Sequence, residues 1–134
     1  MAARGTVEND VQALLARWNE LVGRKDLAIM ADFANDAVLV GSSAGEVAEG
    51  SAQIRALLQK AFAQPYDVSW HWNDLRASAQ GDIAWFFADG EVVLSEDGRE
   101  RRMPYRLGGV IQRQGERWIW RQFHGAEPSP DAAA

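Results

Sequence analysis

The chain contains no cysteine, and only two histidines and four prolines occur in its 134 residues. Without cysteine it has no disulfide and no thiol nucleophile. Two isolated histidines fall short of any zinc-ligand pattern, so we expect no metal site. The segment GSSAG, residues 41–45, lacks the lysine and the following helix of a phosphate-binding loop. We therefore expect a protein that works without a cofactor.

Excess positive charge and long apolar runs are also missing. Lysine and arginine number 14 against 19 aspartates and glutamates, which gives a net charge of −5 at pH 7. Nucleic-acid binding needs a basic face, so no nucleic-acid partner is expected. No apolar run reaches the roughly 20 residues that span a bilayer, and the N-terminus lacks the apolar core of a signal peptide. We expect no membrane partner and a cytoplasmic location.

Tryptophan, in contrast, is abundant, with six residues in a chain of this length. Large aromatic side chains fill cores, but they also line ligand pockets and interfaces. The length fits one domain, which we expect to span residues 1–126. The ending EPSPDAAA, residues 127–134, is predicted to be a flexible tail.

Apolar residues at spacings of three and four predict three helices in the first half. The first covers residues 7–23 with Thr6 as its cap, and the second runs from about Asp26 to Phe33. Ser51 is predicted to cap the third, which Pro65 ends. The side chains expected to face the core are Val11, Leu14, Leu15, Trp18 and Val22, then Leu27, Met30 and Phe33, then Ile54, Leu57, Leu58 and Phe62.

After residue 65 the apolar period changes from 3.6 to 2. It predicts strands over residues 66–78, 83–94, 100–112 and 116–124, joined by turns such as the Asp-Gly pair in SEDGRE. A short strand is also predicted in NDAVLVG, followed by a turn and a brief return strand. Helices followed by a four-stranded antiparallel meander indicate an α+β domain, with the helices against one face of a curved sheet.

Four segments carry a resemblance to a known family: LLARWNELVGRKDLAIMADFANDAVLV, GEVAEGSAQIRALLQ, GDIAWFFADG and GERWIWRQFHGAEP. In this order they resemble the SnoaL-like group of the nuclear transport factor 2 superfamily over nearly the whole chain. The resemblance implies a cone in which three N-terminal helices pack on a strongly curved antiparallel sheet. It further implies an apolar ligand cavity and a homodimer formed through the outer face of the sheet.

The resemblance does not extend to the catalytic residues of the related ketosteroid isomerases. Those enzymes use a tyrosine, a base carboxylate and a protonated aspartic acid. The corresponding positions fall at Trp18, near Gly41 and near Gly108. None of the three groups is present, so steroid isomerisation by that mechanism is not expected.

The last strand carries the first candidate for proton transfer. If Trp118 and Trp120 face the cavity, the period of two also turns Gln122 and His124 inward. His124 would then lie near the open end of the cone as an acid, a base or a hydrogen-bond donor. The alternative is a half-exposed histidine at the sheet edge. A slip of one residue would turn the opposite side chains inward.

Asp89 is the second candidate, because it shares a strand face with Trp85 and Phe87. Aromatic neighbours disfavour the charged form of a carboxylate, which suits a proton carrier. The alternative is that the strand has reached solvent by residue 89. On the neighbouring strand, Tyr105 or Arg106 could reach the same cavity, but adjacent residues point to opposite faces, so only one can do so.

The predicted site therefore combines two catalytic candidates with a ligand-binding wall. The catalytic candidates are His124 and Asp89, and the wall consists of Trp18, Phe33, Trp70, Trp85, Phe87, Tyr105, Trp120 and Gln122. Plain core packing is the alternative for each aromatic residue, and Trp70 could instead lie on the outer face in a dimer contact.

Two functions are compatible with these features. The first is binding of a small apolar or aromatic molecule, with cofactor-free isomerisation, cyclisation or elimination as the reaction if the protein is an enzyme. The second is a non-catalytic dimerisation or association module with a vestigial cavity. The sequence leaves open whether the protein is catalytic, and it identifies no substrate.

Overall fold

The structure, a computed structural model, describes residues 4–129, with side chains from Thr6 onward. Residues 130–134 of the predicted tail lie outside the described residues. The elements are α1 (Arg4–Gly23), a 3₁₀ helix (Leu27–Asp32), β1 (Phe33–Val40), β2 (Val47–Glu49), α2 (Gly50–Phe62), β3 (Asp67–Gln80), β4 (Ile83–Glu96), β5 (Arg99–Gln114) and β6 (Arg117–Ala126).

The strands form one six-stranded sheet in the order β2-β1-β6-β5-β4-β3. The β1–β6 pair is parallel and the other neighbours are antiparallel. Two irregularities, between Trp72 and Asp74 in β3 and between Trp120 and Gln122 in β6, are positions where extra residues bend a strand. The predicted α+β architecture, with helices on a curved and mostly antiparallel sheet, is confirmed.

Helix α1 lies against β3 through its predicted apolar stripe, and Val11, Leu14, Leu15, Trp18 and Val22 are all buried. Asn19 fixes the contact. Its Nδ2 donates to the Trp70 carbonyl at 2.8 Å, and the Trp70 N–H donates to its Oδ1 at 2.8 Å. The amide therefore pairs with an edge strand much as another strand would, and it sets Trp70 beside Trp18. No helix in the described range is long and apolar enough to cross a membrane.

Both predicted helix caps are wrong. Helix α1 already begins at Arg4, so Thr6 lies inside it. Helix α2 begins at Gly50, whose φ of +84° turns the chain out of β2 and favours glycine. Ser51 is therefore inside the helix, and its hydroxyl donates to the Asn35 carbonyl at 3.4 Å instead.

The second predicted helix is a 3₁₀ helix, and Leu27, Met30 and Phe33 contact the core as predicted. Leu27 and Met30 are only half-buried, whereas Ile29 and Asp32 are buried. With three residues per turn, positions 29 and 32 lie on one side of the helix, and that side is the most deeply buried. Asp32 is the one charged side chain buried among the described residues.

Candidate functional site

A cavity of about 220 Å³ lies between α2 and the inner face of the sheet, and it is partly open to solvent. Helix α1 contributes Trp18 and Val22, and α2 contributes Leu57, Leu58, Ala61 and Phe62. The sheet supplies residues from five strands: Leu39 of β1, Val68 and Trp70 of β3, Val92 and Leu94 of β4, Met103 and Tyr105 of β5, and Phe123 of β6. The wall is therefore largely apolar.

Aromatic rings form much of this wall. The Trp18 ring lies 4.6 Å from Phe123 and 5.6 Å from Trp70, measured between centroids. Trp70 in turn meets the Tyr105 ring edge-on at 5.9 Å. The Trp18 side chain is 5% exposed, and its indole N–H has no hydrogen-bond partner among residues 6–129. The Trp18 ring lines the cavity, whereas its N–H is enclosed by the protein.

Tyr105 brings a hydroxyl into these apolar surroundings. Burial raises the pKa of Tyr105 to about 12, and the negative charges of Glu46 and Glu127 act in the same direction. Polar contacts with the Trp70 and Ser42 side chains lower the pKa by less than burial raises it, so the phenol is protonated at neutral pH. Gly125 makes room for it, because a side chain there would overlap the Tyr105 hydroxyl.

The turn between β1 and β2 carries a carboxylate at the cavity opening. The Gly41 N–H donates to the Glu46 carbonyl at 2.8 Å, which closes the turn. Within it, Glu46 Oε1 accepts from the Ser43 N–H at 2.8 Å. A Cβ on Gly41 would lie 2.7 Å from the same oxygen. The carboxylate of Glu46 therefore occupies the space that a side chain at Gly41 would need.

A family model describing the SnoaL-like domain matches residues 11–129 of the chain. The chain belongs to this family. A comparison with curated proteins finds no match.

Several solved structures share the SnoaL-like fold of this chain. A nuclear transport factor 2-like protein of unknown function from Pseudomonas putida is 19% identical, with a TM-score of 0.79 over 98% of this chain and 94% of that one. A proposed dehydratase from Streptomyces avermitilis is 14% identical, with a TM-score of 0.82 over 94% and 99%. A proposed aromatic ring hydroxylase from Novosphingobium aromaticivorans is 20% identical, with 0.81 over 96% and 94%. At these identities the likeness shows a common fold and leaves activity open.

Three of the residues expected in the SnoaL-like cavity line it: Trp18, Trp70 and Tyr105. Two others lie in the core instead. Phe33 and Trp120 stack at a centroid distance of 6.3 Å, and both are buried. For these two, the alternative of plain core packing describes their position.

The face prediction for β4 is wrong. The side chains turned towards the helices are Ala84, Phe86, Ala88 and Val92, all buried. Trp85 and Phe87 therefore point to the opposite, outer face, where they are 46% and 42% exposed. Asp89 follows them and lies 3.6 Å from Arg106 Nε, with both side chains about half exposed. Both faces of β4 are apolar, so the period alone does not show which one is inside.

The face prediction for β6 fails for a different reason. Trp120 pairs with Ile111 and is buried, but the next ladder pair joins Gln122 to Val110, so Arg121 is an extra residue. This bulge reverses the alternation. Phe123 therefore points into the cavity, while Gln122 and His124 are exposed on the outer face. His124 lies beside Gly108, and Gly108 lies beside Phe87.

Six polar or charged residues at the opening were not predicted from the sequence: Lys25, Ser42, Ser43, Glu46, Tyr66 and Glu127. Glu46 follows a glycine-containing turn, and turns that return to a sheet edge often carry functional side chains. The position of Glu46 directly after this turn is the one feature of the sequence that could have identified it. Glu127 falls in the predicted tail, and no local sequence pattern indicates that it reaches the cavity.

Proposed function

We propose that this protein binds a small aromatic molecule of one or two rings, with its polar group near the Tyr105 hydroxyl. The observation that carries the proposal is the cavity of about 220 Å³ with aromatic walls and one buried hydroxyl. A cavity of about 150 Å³ holds benzene, and pockets for drug-sized ligands begin at about 300 Å³. The volume therefore suits a ligand between these sizes.

The ring contacts of Trp18 with Trp70 and Phe123 support the same proposal, because these three aromatic side chains adjoin one another at the cavity wall. An aromatic ligand would add further ring contacts of this kind, each of which contributes about 0.5–1.5 kcal/mol beyond the area that it buries. Because His124 and Asp89 lie on the outer face, the proposal is binding and includes no proton transfer by either residue.

Binding is tested with 2-phenylethanol, followed by two-dimensional NMR titration of nitrogen-labelled protein. We expect saturable shifts in residues around the cavity. Replacing Ala61, an exposed residue that lines the cavity on α2, by tryptophan places an indole at the opening and should raise the Kd about tenfold. Ala56→Trp is the matched control, because Ala56 is an exposed alanine of the same helix that does not line the cavity.

Tyr105→Phe removes the proposed hydrogen bond to the ligand and keeps the aromatic ring that packs against it. It should weaken the binding of 2-phenylethanol by about 1 kcal/mol, because a neutral hydrogen bond contributes about that much. The affinity for ethylbenzene, which has no hydroxyl, should not change. Shifts that never saturate for either compound, or equal affinities for Ala61→Trp and Ala56→Trp, would contradict binding in this cavity.

A second candidate function is self-association through an outer patch formed by Trp85, Phe87, Val110, Gln122 and His124. Trp85 lies beside Val110, and Val110 lies beside Gln122, so these side chains share one face of the sheet. Among the described residues, the large apolar side chains that are exposed are Trp85, Phe87 and Val47. Aromatic side chains dominate the binding energy of many protein interfaces. We therefore propose that two copies of the chain pair through the outer patch.

Light scattering at micromolar concentration tests the homodimer. We expect wild-type protein at twice the mass of one chain. Trp85→Glu combined with Phe87→Glu should raise the dimer Kd about 100-fold, because both charges would be buried against the partner. Val47→Glu is the control, since Val47 is 59% exposed but lies on edge strand β2. Wild-type protein at the mass of a single chain would rule the dimer out.

A further inference from the structure

Negative charge is in excess at the cavity opening. Lys25, Glu46 and Glu127 are the residues with formal charges that line the cavity. The Lys25 ammonium donates to the Gln64 carbonyl at 2.6 Å and lies 3.9 Å from Asp67 Oδ1. The ammonium group is therefore directed towards groups outside the cavity, and Asp67 offsets part of its charge. The two carboxylates remain as the charges available to a ligand.

The Glu46 carboxylate is held in place by its own turn. Its Oε1 accepts from the Ser43 N–H, and it packs where Gly41 has no side chain. A pre-positioned charge loses little side-chain entropy when a ligand binds. The negative charge is also felt inside the cavity, because Glu46 and Glu127 both raise the pKa of Tyr105.

The aromatic walls also favour a positively charged ligand. The faces of tryptophan, tyrosine and phenylalanine rings carry partial negative charge and attract ammonium groups. Trp18, Trp70, Tyr105, Tyr66, Phe62 and Phe123 all line the cavity. A carboxylate ligand would meet two like charges and this aromatic wall, and the single cation, Lys25, is directed towards the Gln64 carbonyl and Asp67.

Resting on the binding function proposed above, we infer that the preferred ligand is a small aromatic amine in its protonated form. Its ring lies against the aromatic wall, and its ammonium group faces Glu46 and Glu127 at the opening. The cavity accepts the neutral alcohol of the same shape more weakly and discriminates against the corresponding carboxylate.

Three probes of similar shape and different charge test this inference: 2-phenylethylamine, 2-phenylethanol and 3-phenylpropionate. By NMR titration at pH 7 and low salt, the amine should bind about tenfold more tightly than the alcohol, and the carboxylate more weakly than either. Glu46→Gln with Glu127→Gln should bring the ratio of amine affinity to alcohol affinity from about ten to about one. Glu116→Gln, an exposed glutamate in the turn between β5 and β6, is the control.

The results of these titrations test the charge preference and the binding function separately. Equal binding of amine and alcohol by the wild type would overturn the charge preference while leaving the cavity as a binding site. An amine preference that survives Glu46→Gln with Glu127→Gln would also overturn it, because the two carboxylates would not be its source. Failure of all three probes to bind would overturn both.

Discussion

Replacing Arg17 and Arg117 together by methionine is expected to lower the free energy of unfolding by about 3 kcal/mol. Asp32, whose side chain is 2% exposed, accepts from Arg17 Nε at 2.7 Å and from an Arg117 terminal nitrogen at 2.9 Å. Hydrogen bonding to Asp32 raises the pKa of Arg17. These contacts join α1, the 3₁₀ helix and β6. Without the two guanidinium groups, a carboxylate would stay buried with no cation beside it.

The cost depends on which side of the contact is removed. Both arginine side chains are about half exposed, so Asp32→Asn leaves charges that water can still solvate. We expect that single change to cost about 1 kcal/mol. Adding Asp32→Asn to the double arginine variant should recover part of its loss.

Urea denaturation followed by tryptophan fluorescence measures these differences at one fixed protein concentration. Arg55→Met with Arg99→Met is the control, because both of these arginines are exposed and lie away from Asp32. If the Arg17 and Arg117 pair costs no more than this control, the buried carboxylate is not stabilised as described.

Gly90→Ala is expected to cost about 3 kcal/mol, at the upper end of the range for substitutions that overfill a packed site. Gly90 of β4 faces Trp72 of β3 where the register shifts. A Cβ on Gly90 would overlap the backbone carbonyl of His71 and crowd the α-carbon of Trp72. Because these are backbone atoms, no change of rotamer relieves the overlap, and the two strands must move apart.

Gly108→Ala on the neighbouring strand β5 is the matched control. A Cβ there would come no closer than 4.0 Å to the nearest atom, the Phe86 carbonyl oxygen. Alanine in a strand interior is favoured over glycine by about 0.5–1 kcal/mol, so this variant should be neutral or slightly stabilised. Because Gly108 lies beside Phe87 and His124 of the outer patch, thermal unfolding followed by circular dichroism compares the two in the Trp85→Glu and Phe87→Glu background. Similar melting temperatures would contradict the close approach of β3 and β4 at Gly90.

The sequence by itself determined the order of elements and, with it, the fold. The period of Val11, Leu14, Leu15 and Trp18 predicts a helix, and the alternation after residue 65 predicts long strands. Both signals are local, because they depend on side-chain spacing along one segment. The turn residues Asp97-Gly98 and Gly115 add to them, and all three have the positive φ that such turns need.

Only the tertiary structure decided which face of each strand encloses the cavity. In β4 both faces are apolar, and the small side chains of Ala84 and Ala88, rather than the indole of Trp85, face the helices. In β6 one extra residue at Arg121 reverses the direction of Gln122 and His124. The Glu46 carboxylate reaches the cavity because a turn folds it over Gly41. Spacing fixes the alternation of side chains, whereas its sense depends on bulges and on contacts between segments distant in the chain.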